Sequence, residues 1–191
     1  QMTTTDIDRV GDILKVSTEY LEAPKFYKAR QACELLMACL LKCERMELAL
    51  RMDLAPDAKQ VEAMRRGVSR LARGEPVQYI IGSVQFSDHK FNVDSRALIP
   101  RPETELMVEE IVGSAIMRNG ERKVVVDFGT GSGCILISLA LALPDNVYLG
   151  YDTSDEALSL ARENAARLAP DMRLAFTSAD LSELLDPASV S

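Results

Sequence analysis

Residues 124–133 read VVVDFGTGSG, which joins a strand signal directly to a glycine loop. Three consecutive β-branched residues are typical of a strand that is buried on both faces. Asp127 closes this run, and Gly129, Gly131 and Gly133 follow at alternate positions. Glycine permits positive φ angles and lets a ligand approach the backbone closely. The segment therefore predicts a strand, a ligand-binding turn and a helix in succession.

The residues after the loop continue this alternation of strand and helix. Their apolar patterns predict a helix over 135–143, a strand over 147–151, a helix over 154–168 and a strand over 173–176. A β-α-β-α-β order requires a parallel sheet with right-handed crossovers. The predicted fold class is therefore α/β, with a Rossmann-like arrangement in this region of the chain.

The region before the loop contains two different patterns. Residues 1–74 have apolar residues at helical spacing and predict a bundle of four or five helices. From Tyr79 the period changes to two, which predicts a β-hairpin with His89 in its polar turn. We therefore divide the chain into a helical domain at 1–74, a hairpin linker at 75–96 and an α/β domain at 97–191.

Charge limits the partners of the chain. The net charge is −7, but residues 1–74 carry +2 and residues 75–191 carry −9. An acidic half repels a phosphate backbone, so stable nucleic-acid binding is not expected. No apolar run approaches the ~20 residues that are needed to cross a bilayer, so no membrane association is expected.

The cysteines and the single histidine do not form a metal motif. No CxxC pair occurs, and zinc would need further soft ligands. Free cysteines are usually buried, reduced thiols, which predicts a reducing compartment and a cytoplasmic location. The four cysteines are Cys33, Cys39, Cys43 and Cys134.

The spacing of the glycine loop favours a nucleoside with an amino-acid tail. A dinucleotide-binding G-x-G-x-x-G loop would need glycine or alanine where Cys134 stands. The spacing D-x-G-x-G-x-G is instead the pattern of proteins that bind S-adenosylmethionine. Asp127 lies where the methionine ammonium would sit, and a buried carboxylate needs such a partner. The alternative is a tight turn that binds no ligand.

Two further acids follow the later strands. Asp152 comes 19 residues after Gly133, at the predicted tip of the next strand, where a carboxylate can accept from both ribose hydroxyls. Its alternative role is an N-cap for the helix that starts near Ser154. Asp180 is placed to accept from the adenine amino group and Leu181 to pack on the ring, although Asp180 could equally be a helix cap.

Residues 76–106, PVQYIIGSVQFSDHKFNVDSRALIPRPETEL, together with VVVDFGTGSGCI, resemble the HemK/PrmC family. The resemblance is most specific at 98–105, LIPRPETE. Members of this family are S-adenosylmethionine-dependent N(5)-glutamine methyltransferases that act on peptide chain release factors. The resemblance implies methylation of the glutamine side chain in the release factor's Gly-Gly-Gln tripeptide, and substrate recognition by the helical domain.

The resemblance also implies roles for individual residues. The segment that closes over the methionine end and the substrate entrance corresponds to Arg101, Pro102, Glu103 and Thr104. Leu181 stands where the family often has an aromatic residue, which implies weaker stacking on adenine. The remaining cofactor positions implied by the family are Gly129, Thr130, Gly131, Ser132, Gly133, Asp152 and Asp180.

One departure from the family changes the expectation for activity. The family's substrate motif, Asn-Pro-Pro-Tyr, follows the fourth strand of its sheet, and this sequence ends at Ser191 before that strand. We therefore expect no catalytic residue within 1–191, an N-terminal portion of a longer enzyme that is inactive alone, and a free, apolar edge at Val124–Phe128. Such an edge is expected to stay exposed or to mediate self-association.

Two other functions remain open from the sequence. An adenine-N6 nucleic-acid methyltransferase would share the cofactor and the missing motif, but the acidic second half disfavours it. A catalytically inert protein-binding fragment would use the outer face of the last long helix of the bundle. That face carries Arg65, Arg66, Arg70 and Arg73, although such charges usually form a solvated surface.

Overall fold

The computed structural model describes residues 8–22 and 27–180. The chain divides into two compact units, residues 1–81 and 82–191. The described residues of the first unit contain five helices, which agrees with the predicted helical bundle. They are α1 (Val10–Glu22), α2 (Ala29–Leu41), a 3₁₀ helix (Arg45–Leu50), α3 (Ala58–Ala72) and α4 (Val77–Ile81).

The helices of the first unit are amphipathic and share one core. Helix α3 begins at a capping box. In this box the Asp57 carboxylate accepts from the Gln60 N–H at 2.8 Å, and the Gln60 side chain accepts from the Asp57 N–H at 2.9 Å. Most of the predicted inward positions of α1, α2 and α3 are buried, whereas Leu40, Leu41 and Val61 are half-buried against the same core. The predicted inward residue Ile7 lies outside the described residues. The core includes Val10, Leu14, Leu21, Ala29, Ala32, Cys33, Leu36, Met37, Met64, Val68 and Leu71.

The predicted start of the hairpin at Tyr79 is wrong. Residues 77–81 form helix α4 instead of a strand. The apolar side chains of Val77, Ile80 and Ile81 are spaced for one helical face, and they pack against the core of the first unit. A run of three apolar residues fits either period, and burial against neighbouring helices decides between them here.

The described residues of the second unit form the hairpin, three helices and a three-stranded sheet. The hairpin packs its two phenylalanines, Phe86 and Phe91, edge to face at 6.0 Å in the core of this unit. The observed division into two units therefore differs from the predicted division into three, because the hairpin belongs to a core rather than to a linker. The elements are β1 (Ser83–Phe86), β2 (His89–Asn92), α5 (Pro102–Gly113), β3 (Val124–Phe128), α6 (Cys134–Ala142), β4 (Val147–Asp152), α7 (Asp155–Leu168) and β5 (Leu174–Ser178).

The hairpin turn is shorter than predicted. Only Ser87 and Asp88 lie between the strands, and both have positive φ angles of 46° and 63°. Positive φ at both central residues is the geometry of a type I′ turn, which matches the twist of the two strands. His89 therefore belongs to β2, where it pairs with Phe86, and not to the turn.

The larger sheet is parallel, in the order β3-β4-β5, which confirms the α/β prediction. Each crossover moves to the next strand in the same direction, so right-handed connections place α6 and α7 on one face. Side chains on that face, such as Val125, Tyr148 and Phe176, pack with α6. The register brings the carboxyl ends of the three strands together at one edge.

The prediction that β3 is buried on both faces is wrong for the described residues. Val124, Val126 and Phe128 point away from the helices and are 64%, 43% and 46% exposed. Among the described residues β3 pairs with β4 alone, so it also forms an edge of the sheet. The β-branched run reflects strand propensity, but the described helices cover one face of β3 only.

The described residues contain no helix that is both long and apolar enough to span a membrane. All four cysteines are free. Cys33 and Cys134 are buried, and burial raises the pKa of each thiol to about 11. Cys39 is exposed and Cys43 is half-buried, so the prediction of burial is wrong for Cys39.

Candidate functional site

The glycine loop lies between β3 and α6 and is held by the neighbouring strand. Gly129, Gly131 and Gly133 have φ angles of 74°, 54° and 77°. The N–H groups of Gly129 and Thr130 both donate to the Tyr151 carbonyl, at 2.8 and 3.0 Å. The three positive φ angles are those that the sequence pattern requires, because side-chain-bearing residues rarely adopt them.

The two ends of the loop have different surroundings. A methyl group on Gly129 would meet no atom within 4 Å, so this backbone is open to a ligand. A methyl group on Gly133 would lie 3.0–3.2 Å from Ile137, Ala161 and Phe176. Gly129 therefore permits close approach from outside, whereas Gly133 permits α6 to pack closely against α7 and β5.

Asp152 ends β4 beside the loop, and its carboxylate is bonded to the backbone on both sides. Its Oδ2 accepts from the Gly131 N–H at 2.9 Å, and its Oδ1 accepts from the Ser154 N–H at 3.0 Å. The N-cap of α7 is Ser154, whose hydroxyl accepts from the Ala157 N–H at 3.2 Å. Asp152 is therefore not the helix cap, and it joins the glycine loop to the start of α7.

Asp127 lies inside β3 and points to the helix side of the sheet. Its Oδ2 atom is enclosed and has no hydrogen-bond partner among the described residues, and the enclosed Thr130 hydroxyl has none either. Burial raises the pKa of the Asp127 carboxyl, the nearby Thr130 hydroxyl opposes this rise, and the charge of Asp152 adds to it. The Thr130 hydroxyl is thus close enough to influence Asp127 without forming a hydrogen bond of normal geometry.

A carboxylate oxygen that is buried without a partner costs free energy unless a ligand supplies one. A ligand ammonium beside the loop would satisfy Asp127. The open backbone at Gly129 and the remaining acceptor capacity of Asp152 lie on the same edge of the sheet. These features fit a ligand that carries an amino group and neighbouring hydroxyls.

Asp180 follows β5, at the same edge of the sheet. Ser178 pairs with Asp152, and the Ala179 N–H donates to the Asp152 carbonyl at 3.2 Å. Asp180 is exposed two residues beyond this pair. Leu181 lies outside the described residues.

The segment Arg101–Thr104 forms the start of α5. Arg101 is the N-cap residue, in an extended conformation, and Pro102 occupies the first turn as predicted. Arg101, Pro102 and Glu103 are exposed, and Thr104 is half-buried. Within the described chain, no hydrogen bond or ion pair joins these four residues to the glycine loop.

The remaining sequence candidates do not form a site within the residues that the structure describes. No group of three or more potential metal-ligating side chains occurs there. Arg65 and Arg66 pair with Glu62, and Arg70 pairs with Glu75. Much of the arginine face of α3 is thus paired with acids of its own unit.

A buried polar residue that contacts the glycine loop was missed from the sequence. Asn164 of α7 is fully buried and bonds to both the loop and the hairpin. The available signal is its position: it continues the inward stripe of Ala157, Leu160 and Ala161, where a polar side chain is unexpected. A polar residue on an apolar helix face needs buried partners, but the sequence does not identify them.

Two family descriptions match separate regions of the chain. The PrmC N-terminal domain matches residues 12–82, and a methyltransferase domain matches residues 119–190. The chain is 37% identical over 174 residues to the release factor glutamine methyltransferase of Chlorobaculum tepidum, covering 90% of this chain and 59% of that protein. It is 36% identical over 176 residues to the protein of the same name from Leptospira interrogans, covering 91% and 61% respectively.

The resemblance to the HemK/PrmC family that the sequence predicted is confirmed by these matches. A protein of the same name from Flavobacterium psychrophilum is 41% identical over 123 residues, which cover 64% of this chain. The chain spans about three fifths of the length of the two relatives named first. Within the family's layout, the glycine loop lies in the methyltransferase domain and the helical unit corresponds to the PrmC N-terminal domain.

Proposed function

We propose that the carboxyl edge of the parallel sheet binds S-adenosylmethionine. The observation that carries this proposal is the enclosed, unpartnered Oδ2 of Asp127 beside a glycine loop that is open at Gly129. When bound, S-adenosylmethionine supplies an electrophilic methyl group on its sulfonium centre. The described residues contribute the binding and orientation of the molecule.

Each acid at this edge has a distinct proposed role. Asp127 holds the ammonium of the methionine moiety and regains the partner that its buried oxygen lacks. Asp152 accepts from the ribose hydroxyls, since a carboxylate has about four acceptor positions and the backbone uses two of them. Asp180 accepts from the adenine amino group, and Leu181 packs on the ring.

Two further contributions come from the loop and from α5. The backbone of Gly129, Thr130, Gly131, Ser132 and Gly133 lies along the methionine moiety. The family resemblance supports a role for Arg101, Pro102, Glu103 and Thr104 in closing the methionine end and the substrate entrance. The exposure of Arg101, Pro102 and Glu103 leaves this segment accessible to a substrate.

The reaction that fits the relatives is methylation of the glutamine side-chain nitrogen in the Gly-Gly-Gln motif of a peptide chain release factor. An amide nitrogen is a poor nucleophile because its lone pair is delocalised into the carbonyl group. Catalysis therefore depends on orienting the amide for in-line attack, which is a matter of proximity and placed acceptors. In the family the Asn-Pro-Pro-Tyr motif provides those acceptors, and residues 1–191 contain no such tetrapeptide.

We therefore propose that residues 1–191 bind the cofactor and a release factor but do not transfer the methyl group by themselves. The helical unit contributes to recognition of the release factor. We also propose a cytoplasmic location, which the free cysteines led us to expect.

The test uses residues 1–191, S-adenosylhomocysteine, a purified release factor and duplex DNA. Binding to the release factor and not to DNA is expected at physiological salt, with no incorporation of label from S-adenosylmethionine into either. Methyl incorporation into DNA would support the adenine-N6 alternative. Binding to neither partner, together with no affinity for S-adenosylhomocysteine, would contradict the proposal.

The exposed face and edge of β3 support a second proposal, self-association of residues 1–191. Val124, Val126 and Phe128 form an apolar surface on a strand with a free edge in the described sheet. Sedimentation velocity should show dimers or larger species that Val126→Lys reduces. Ala166→Lys adds the same charge at an exposed position on α7 and should not reduce them. A parent protein that stays monomeric at high concentration would exclude this association.

A further inference from the structure

The buried side chain of Asn164 joins three separate segments of the second unit. Its Oδ1 accepts from the Asn92 N–H at 2.8 Å, and its Nδ2 donates to the Asn92 carbonyl at 3.1 Å. The same Nδ2 donates to the Ser132 carbonyl at 3.0 Å. A primary amide has two N–H donors, so both are used here, one toward hairpin strand β2 and one toward the glycine loop.

The bond to Ser132 fixes one peptide plane of the loop. The Ser132 carbonyl and the Gly133 N–H belong to the same planar peptide group and point in opposite directions. Asn164 holds the carbonyl, and the Gly133 N–H donates to the Thr130 carbonyl at 2.8 Å. The Ser132–Gly133 peptide is therefore held on both sides. This fixes its orientation between Gly131 and Gly133, which both have positive φ angles.

The other side of Asn164 is anchored to the hairpin. Its two bonds to Asn92 imitate the pairing of a neighbouring strand at the outer edge of β2. Arg167, one turn later on α7, donates to the Lys90 carbonyl. Glu163 pairs with Arg96 just after the hairpin, with an Nη1–Oε1 distance of 2.6 Å. One face of α7 thus forms hydrogen bonds and an ion pair with hairpin strand β2 and the residues that follow it.

Of these three α7 residues, Asn164 is the one bonded to the loop. A flexible loop would have to lose backbone entropy when it orders around a ligand, whereas a loop that is already fixed does not. Burial protects the Asn164 bonds from competition by water, which makes them an effective constraint.

We propose that Asn164 is a positioning residue for the cofactor site, which couples the hairpin to the glycine loop. This inference rests on the function proposed above. It gives the hairpin a role in shaping the ligand site through α7. Asn164 contacts the backbone of the loop and is not itself a ligand-binding residue.

The test compares Asn164→Asp with Glu163→Gln. Asn164→Asp keeps the size and the Oδ1 acceptor but replaces both donors with an oxygen that faces two carbonyls. Glu163→Gln breaks the neighbouring pair with Arg96 and leaves the loop untouched. The readouts are calorimetric affinity for S-adenosylhomocysteine and, without ligand, amide hydrogen exchange of residues 129–134.

Asn164→Asp should weaken the affinity at least tenfold and accelerate loop exchange at least tenfold. Glu163→Gln should change both by less than twofold. A folded Asn164→Asp protein with parental affinity and parental loop exchange would overturn the inference. If the parent itself fails to bind S-adenosylhomocysteine, the proposed function is wrong, and the exchange measurement still decides whether Asn164 fixes the loop.

A measurement on the parent protein does not depend on the folding of any variant. Because Asn164 links the two segments, S-adenosylhomocysteine should slow exchange of the Asn92 amide as well as the loop amides. Protection of the loop with unchanged exchange at Asn92 would contradict the coupling.

Discussion

The adjacent strands β3 and β4 both carry an acid near their carboxyl ends, but the two acids have opposite surroundings. Asp152 is bonded by two backbone N–H groups, and Asp127 has an enclosed oxygen with no partner in the described chain. The fold therefore uses the Asp152 carboxylate to hold the glycine loop and leaves one oxygen of the Asp127 carboxylate without a partner among the described residues. The difference indicates which acid stabilises the free protein and which one depends on a ligand.

The largest expected effect comes from removing the bonded acid. Asp152→Ala leaves the N–H groups of Gly131 and Ser154 without their charged acceptor. Hydrogen bonds to charged groups contribute about 1.5–3 kcal/mol, so we expect the free energy of unfolding to fall by about 2–3 kcal/mol in urea denaturation. Asp155→Ala removes an exposed acid from the first turn of α7 and should cost less than about 1 kcal/mol. Equal losses of unfolding free energy in the two variants would show that Asp152 stabilises the protein no more than an ordinary exposed acid does.

The two ends of the glycine loop provide a matched pair of substitutions. Gly133→Ala adds a methyl group among three side chains at positive φ and should destabilise the protein by about 2 kcal/mol. Gly129→Ala has the same backbone strain but open space, so about 1 kcal/mol is expected. Thermal unfolding of both proteins measures the difference. If Gly129→Ala were more destabilised than Gly133→Ala, the assignment of Gly129 as the open end of the loop would be wrong.

Neutralising the unpartnered acid should change stability in the opposite direction. Asp127→Asn keeps the shape and removes the charge of a half-buried carboxylate whose Oδ2 is enclosed without a partner among the described residues. We expect an increase of about 1 kcal/mol in unfolding free energy at neutral pH, because burying an unpaired charge is unfavourable. Affinity for S-adenosylhomocysteine should fall in the same variant. A stability loss like that of Asp152→Ala would mean that Asp127 is a structural acid.

The smallest expected effect is a pH dependence of stability and of ligand affinity, and the two change in opposite directions as the pH rises. Burial raises the pKa of folded Asp127 above its unfolded value. Its contribution to stability is therefore complete below the unfolded pKa and is lost as the pH rises through the folded pKa. Ligand affinity should show the reverse, because the ammonium needs the ionised acid, and should fall as the pH drops through the folded pKa. Urea denaturation and calorimetry across this range measure both trends, and Asp127→Asn should flatten them.

The sequence predicted the backbone geometry of the glycine loop better than it predicted the side chains that hold the loop in place. The D-x-G-x-G-x-G spacing correctly predicted the turn and its three positive φ positions, because these follow from local chemistry. The strand order also followed, since a β-α-β-α-β alternation leaves few topologies.

Features that depend on tertiary partners were missed. Residues 77–81 fit a strand by local pattern but became helical because Val77, Ile80 and Ile81 pack against the first unit. The two backbone bonds of Asp152 and the three backbone bonds of Asn164 depend on how distant segments meet in the fold. Spacing within a single sequence carries no information about such contacts.

Calorimetric titration of residues 1–191 with S-adenosylhomocysteine tests the central claim most directly. One binding site per chain is expected. The affinity should fall by about tenfold or more in Asp152→Ala, which removes a charged acceptor, and stay unchanged in Asp155→Ala. Absence of binding to the folded parent, or equal affinity in the parent and Asp152→Ala, would contradict the assignment of this edge of the sheet as a cofactor site.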